Sequence, residues 1–133
     1  MIHIRRGDYT LYPDHHPTCN TGYYSEGIEK IKDISGENVN IIIFSDDKKW
    51  CYENMGNQVG DNFIIPETEN PYVELYMMTK CNYHIIANSS FSWWAAYLNS
   101  NPNKKIVAPS KWFGSAYEHF NTKDLLPKSW IKL

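Results

Sequence analysis

A chain of 133 residues and 15.6 kDa, 42% apolar and 21% charged with a formal charge of -2, has the size and composition of one globular domain. That length buries roughly two thirds of the unfolded surface, which excludes two large domains, and the charge balance excludes both a disordered tail and a basic nucleic-acid binder. No apolar run approaches the roughly 20 residues of a bilayer span, so no membrane span is expected. The opening MIHIRRGDY lacks an apolar stretch of signal-peptide length, and a chain starting at Met1 is expected to stay in the cytoplasm. Cys19, Cys51 and Cys81 are an odd number in three contexts, which argues for a reducing compartment over a disulfide framework.

Taken along the chain, short β-rich apolar runs at residues 2–5, 40–44, 62–65, 83–87 and 105–108 predict five strands. Between them, residues 23–34, with Tyr24, Ile28, Ile31 and Ile34 at helical spacing, and residues 46–55, 71–81 and 89–99 predict helices. Asp46 after Ser45, Asn70 before Pro71 and Asn88 before Ser89 supply plausible helix starts. Strands alternating with helices mean parallel βαβ units, and the unbroken apolar run Ile41, Ile42, Ile43, Phe44 suits a strand covered on both faces. The expected fold is therefore α/β: a Rossmann-like parallel sheet with helices on both faces, occupying residues 1–133 as a single domain. The irregular loop 10–22 is long enough to be a lid.

In such a sheet the ligand lies beyond the carboxyl ends of the strands, where strand order reverses. HIRRGDY, SDD and ANSSFS all end there. Eleven of the thirteen basic residues are lysine, and the two arginines are the adjacent Arg5 and Arg6. A planar fork that grips phosphate at two points is what lysine lacks, and Gly7 lets the backbone turn closely beside it. Asn88, Ser89, Ser90, Phe91 and Ser92 open a helix whose free amides and dipole favour an anion, although Asn88 can equally serve as a cap. Asp46 and Asp47 after Ser45 can bind a ribose hydroxyl or a divalent metal, or cap the helix that follows. His15, His16 and Cys19 have the spacing of half a metal site without a second half, so no metal is expected. Trp93 and Trp94 read as core and interdomain packing residues in preference to a base-stacking platform. Neither GxGxxG nor a Walker loop is present, which removes the strongest support for NAD or ATP.

HIRRGDY, FSDDKKWC, YVELYMMTKCNYHIIANSSFSWWAAYLN, IVAPSKWF and PKSWIKL, in that order and over nearly the whole chain, resemble the carboxyl-terminal half of the α-1,2-fucosyltransferases of glycosyltransferase family 11. Ala95 stands where that family often has glycine after the two tryptophans. The resemblance implies the GDP-fucose-binding lobe of a two-lobed GT-B enzyme that inverts the anomeric centre and needs no metal or other cofactor. By position it implies that Arg5 holds the β-phosphate, with His3 shaping the site from the same strand face and Arg6 and Gly7 beside it. Ser89, Ser90 and Phe91 fall at the phosphate-contacting helix start, and Asp46 or Asp47 near the nucleoside. Glu74 falls where such enzymes place an acid, usually aspartate, against guanine N1-H and the exocyclic amine, since a carboxylate accepts from both.

The expected partners are GDP-fucose and a glycan acceptor, with the acceptor lobe absent from these residues and supplied by the loop 10–22, a second copy of the chain or another protein. Arg5 is the expected catalytic residue, stabilising the leaving diphosphate, and Asp8 or Asp14 the general base. Two other readings remain open: a nucleotide-sugar binding module without turnover, and a purely structural domain that binds no guanine nucleotide.

Overall fold

The computed structural model describes residues 1–36, 39–60 and 63–133. Its strands are β1 (Ile2–Ile4), β2 (Ile41–Ser45), β3 (Phe63–Ile64), β4 (Tyr83–Ile85), β5 (Lys105–Ala108) and β6 (Ile131–Lys132). They form one sheet in the order β3-β2-β1-β4-β5-β6, with every pairing parallel. The order reverses at β1, which lies between β2 and β4, so the crevice beyond β1 is the place where such a sheet takes a ligand. Five of these strands match the apolar runs; Asn62, the expected first residue of the third, lies outside the described residues. The sixth strand adds to the expectation. Its two residues are too few for an alternating pattern, and β6 exists because Trp130 is buried beside it and Leu133 N–H donates to the Ala108 carbonyl at 3.1 Å.

Among the described residues, five α-helices cover both faces: α1 (Thr21–Ser35), α2 (Lys48–Asn54), α3 (Gly56–Val59), α4 (Pro71–Met78) and α5 (Ser90–Leu98). Alternation along the strands sorts the two cores. Ile2, Ile4, Ile41 and Ile43 pack with Tyr24, Ile28 and Ile31 of α1 and Cys51 of α2. Phe44, Ile86 and Ile106 pack on the other side with Met78 of α4 and Ala95 and Ala96 of α5. Helix α1 starts where the Asn20 side chain accepts from Tyr23 N–H at 2.9 Å and stops at Gly36, whose left-handed φ of 64° closes its carbonyl end. Ile34, expected on the buried stripe, is 43% exposed beyond the last turn that touches the sheet.

Two helix starts sit one residue later than expected. Asp47, not Asp46, caps α2 by accepting from Trp50 N–H at 3.0 Å. Ser89, not Asn88, is the cap residue of α5, because the Asn88 amide is turned inward, donating to the Trp112 carbonyl at 2.9 Å. Asn70 caps α4 as expected. Trp93 is half-buried against Trp130, with its indole N–H on the Leu125 carbonyl, and Trp94 is 50% exposed with its ring edge-on to those of Trp93 and Tyr97.

Two buried histidines make the fold sensitive to acid. Burial, with Arg5 adding to it, pushes His3 down to about 3. Burial, with the amino terminus as the next acidifying influence, pushes His84 down to about 3. Both rings are neutral in the fold, whereas in the unfolded chain they take up protons near pH 6.5. Stability is therefore complete above about pH 6.5 and falls as pH drops through 6.5 toward 3, by up to roughly 1.4 kcal/mol per pH unit for each ring. Thermal melts between about pH 6.5 and about pH 5, above the ordinary carboxylate range, should show a falling Tm that His84→Gln flattens. A Tm constant over that window would count against this account.

Candidate functional site

The β1–β2 register pairs His3 with Phe44 and Ile4 with Ser45, which sets Arg5, Arg6 and Gly7 beside Asp46 and Asp47 at the carboxyl edge. Alternation then separates the arginines. Arg5 follows His3 to the face of α4 and α5, while Arg6 follows Ile4 to the face of α2. There the Arg6 guanidinium lies 4.2 Å over the Trp50 ring and its Nε is 3.2 Å from Asp47 Oδ2. Arg6 thus docks α2 onto the sheet and does not line the crevice.

Arg5 and Asp46 open into a cleft of about 560 Å³. His3, Arg5, Ser45 and Asp46 form its sheet edge, Lys48 comes from the start of α2, and Phe91 from the start of α5. Thr68, Glu69, Pro71 and Glu74 form the wall that leads into α4. Segments far apart in the chain converge here, as a parallel sheet requires at its switch point. Arg5 Nη1 is 3.0 Å from Asp46 Oδ2, and Arg5 Nη2 is 2.5 Å from Asp8 Oδ1. Asp46 Oδ1 also accepts from Arg6 N–H at 2.9 Å. A Cβ at Gly7 would lie 2.6 Å from Asp46 Oδ2, so glycine is what lets this carboxylate close on the turn. The His3 ring is 6% exposed, is 5.9 Å from the Phe91 ring, and keeps Nδ1 buried without a protein hydrogen-bond partner. Burial raises the Glu74 carboxyl from its ordinary value while the nearby Lys48 ammonium opposes the shift.

The NSSFS segment contributes unevenly. The Asn88 side chain is spent in the interior, its oxygen lying 3.8 Å from Cys19 Sγ as well as its amide on Trp112. Ser92 is fully buried and donates to the Ala87 and Ser89 carbonyls, and Ser89 is 6% exposed. Among the side chains of this segment, Phe91 lines the cleft and Ser90 is exposed at the helix start. The first-turn amides of Ser90, Phe91 and Ser92 are donors that no preceding helical carbonyl serves.

The expected loop 10–22 is shorter in the structure, because α1 takes Thr21 and Gly22 and a 3-10 turn takes Thr10, and what remains is tied down. Gly114 N–H donates to the His15 carbonyl at 2.9 Å and Ala116 N–H to the Asp14 carbonyl at 2.8 Å, and the His16 ring stacks on Tyr9 at 4.8 Å. This sets His15 and His16 in an aromatic cluster with Tyr117, while burial pushes the Cys19 thiol up to about 11. Among the described residues, no group of three or more His, Cys, Asp or Glu is arranged to hold a metal. Asp14 is exposed on this loop, and neither it nor Asp8 lines the cleft. Two residues that sequence reasoning passed over take part. Lys48 brings a second cation to the cleft, with Nζ on the Pro66 carbonyl at 2.9 Å. Tyr9 carries Arg5 5.4 Å from its ring centroid and donates from its hydroxyl to the Asn88 carbonyl at 3.1 Å, joining HIRRGDY to NSSFS. The signal for Lys48 was its place directly after two acids at a strand-to-helix turn.

A second cavity of about 420 Å³ opens at the opposite edge, where Ile2, Ile28, Ile31 and Ile41 line it with Lys80. It lacks converging charges of both signs. No helix among the described residues is long and apolar enough to cross a membrane.

The chain is 40% identical to the O-antigen biosynthesis glycosyltransferase WbnK of Escherichia coli, over 99% of this chain and 43% of that protein. It is 36% identical to an Escherichia coli alpha-1,2-colitosyltransferase, over 99% of this chain and 46% of that protein. Against the galactoside alpha-(1,2)-fucosyltransferase 1 of Saimiri boliviensis boliviensis it is 28% identical over 73% of this chain and 28% of the relative. The chain thus spans less than half the length of these curated relatives. No solved structure matches it. The profile of glycosyl transferase family 11 matches residues 1–133, the whole of the sequence, and the parallel sheet is consistent with a GT-B glycosyltransferase lobe. The chain belongs to glycosyltransferase family 11.

Proposed function

We propose that the cleft at the carboxyl edge binds GDP-fucose and that the chain is the donor-binding unit of an inverting α-1,2-fucosyltransferase of the galactoside type. The observation that carries this reading is the convergence of Arg5, Lys48, Phe91 and Glu74 on one cleft where strand order reverses. The names of two relatives share an α-1,2 transfer, which supports the linkage.

When the bond from the anomeric carbon to the diphosphate breaks, negative charge grows on the leaving oxygen. Groups already aimed there lower the barrier without reorganising. Arg5 supplies two donors, Lys48 a second positive charge, and the first turn of α5 its free amides. The acceptor hydroxyl attacks from the opposite face of the sugar and loses its proton to a carboxylate. We assign that base to Asp8, which touches Arg5, or to Asp14 on the adjoining loop. Acceptor contacts come from that loop, from a second chain, or from a polypeptide lobe outside these residues. The free thiols of Cys19, Cys51 and Cys81 suit a reducing compartment, and we place the protein in the cytoplasm.

We further propose that donor binding is independent of metal. The Asp46 carboxylate is engaged by Arg5 and by Arg6 N–H, and the Asp47 carboxylate by Arg6 and by Trp50 N–H, so both already neutralise cations or cap donors. Calorimetry with GDP-fucose and GDP should give the same Kd, within about twofold, in chelator and in magnesium. A strict metal requirement would sink this part of the reading, and no affinity for either ligand would sink the reading itself. Fucose release or transfer from the titrated donor separates the enzyme from a binding module without turnover.

A further inference from the structure

Arg5 is held between two carboxylates that differ in how firmly they are themselves held. Asp46 is fixed at both oxygens: Oδ1 accepts from Arg6 N–H at 2.9 Å, and Oδ2 lies 3.0 Å from Arg5 Nη1. Its side chain is 27% exposed and fits against Gly7 so closely that a Cβ there would come within 2.6 Å. Asp8 sits three residues along the chain from Arg5, is 59% exposed, and pairs with Arg5 Nη2. A guanidinium has donors along two edges and cannot give one edge to two anions at full strength. Asp46 meets Arg5 at Nη1 and Asp8 meets it at Nη2, so a phosphate that grips the edge carrying Nη2 at two points displaces Asp8, the exposed carboxylate and the one that yields at less cost.

We infer that Asp46 is a positioning residue that holds Arg5 in its phosphate-gripping orientation, while Asp8 is a displaceable stand-in that occupies the phosphate's place on Arg5 until a nucleotide arrives. This rests on the reading of the cleft as a nucleoside diphosphate site. It reverses the simplest electrostatic expectation for one residue and keeps it for the other. Removing either acid makes the cleft less negative, which by charge alone favours a diphosphate in both cases. Positioning instead makes the loss of Asp46 harmful, because Arg5 is then free to turn from the cleft. The loss of Asp8 remains helpful because nothing has to be displaced.

The test is titration of the whole chain with GDP and, separately, with guanosine. Asp46→Asn should weaken GDP binding by about tenfold and leave guanosine binding unchanged, a change in ratio that general loosening of the fold would not produce. Gly7→Ala should do the same without altering charge, because its Cβ pushes Asp46 Oδ2 off Arg5. It keeps the test open where Asp46→Asn does not fold. Asp8→Asn should tighten GDP binding by roughly threefold or more and flatten its dependence on salt. GDP binding by Asp46→Asn as tight as or tighter than the parent's overturns the positioning role, as does an equal loss of guanosine. Weaker GDP binding by Asp8→Asn overturns the stand-in role. A parent chain that binds no GDP overturns the nucleotide reading itself and this inference with it, so the two failures are distinct.

Discussion

Replacing Arg5 by lysine should cost GDP affinity by roughly tenfold to a hundredfold, the span expected when a charge-assisted, two-point grip worth about 1.5 to 3 kcal/mol is lost. Lysine keeps the charge but presents a compact ammonium on a flexible stem. It cannot hold Asp46 at one edge and a phosphate at the other, as the Arg5 Nη1 contact to Asp46 and the opposing Nη2 allow. The thermal stability of the free protein should change little, because the Arg5 side chain is 36% exposed and ion pairs at that depth contribute about 1 kcal/mol or less. Arg6→Lys should show the reverse: a lower Tm from the lost stacking on Trp50, with GDP affinity nearly kept. Calorimetry and melting curves on the two variants distinguish the arginines. Undiminished GDP affinity in Arg5→Lys would remove Arg5 from the site.

That contrast also shows what the sequence made legible. The pair Arg5-Arg6 was conspicuous among lysines and both members were expected at the donor site, whereas alternation along β1 sends Arg6 to the face of α2, over Trp50. What alternation could not supply was the partners. Asp46 and Asp47 lie about forty positions away, and only the register of Ile4 against Ser45 sets Asp46 under Arg5 and Asp47 under Arg6. Five strands were legible because isoleucine-rich runs such as Ile41, Ile42 and Ile43 recur between helical stretches; β6 was not, because its two residues carry no period and depend on Trp130 and β5. Asn88 shows a different limit. Beside serines at a helix start it has the chemistry of a cap or an anion ligand, and local preference favours both. Trp112 and Cys19, distant in sequence, claim its amide instead, and a buried amide with partners for both ends stays where they are.

Glu74 carries the second large effect, since it decides which base the cleft accepts. It lies in the first turn of α4, lines the cleft, and has its carboxyl raised by burial against the pull of Lys48. A carboxylate there accepts from guanine N1-H and the exocyclic amine together, and adenine offers no such donor pair on that edge. Covering the carboxylate with a base that offers it no donors costs on the order of 1 to 3 kcal/mol, so GDP should be preferred over ADP by at least about tenfold. The plainer role for Glu74 is an acid at a helix start, worth a few tenths of a kcal/mol through the dipole. Glu74→Gln separates the two roles. It keeps the size of the side chain but turns one acceptor into a donor facing the donors of guanine, so GDP affinity should fall by roughly tenfold to a hundredfold. The Tm of the free protein should move by no more than about 1 to 2 °C, because a dipole contribution of that size shifts it little. Guanosine should lose affinity in the same proportion as GDP, which marks a base contact, whereas Arg5→Lys should spare guanosine. Equal affinity of the parent for GDP and ADP, or unchanged GDP affinity in Glu74→Gln, would leave Glu74 as a helix-start acid and move base recognition to another wall of the cleft.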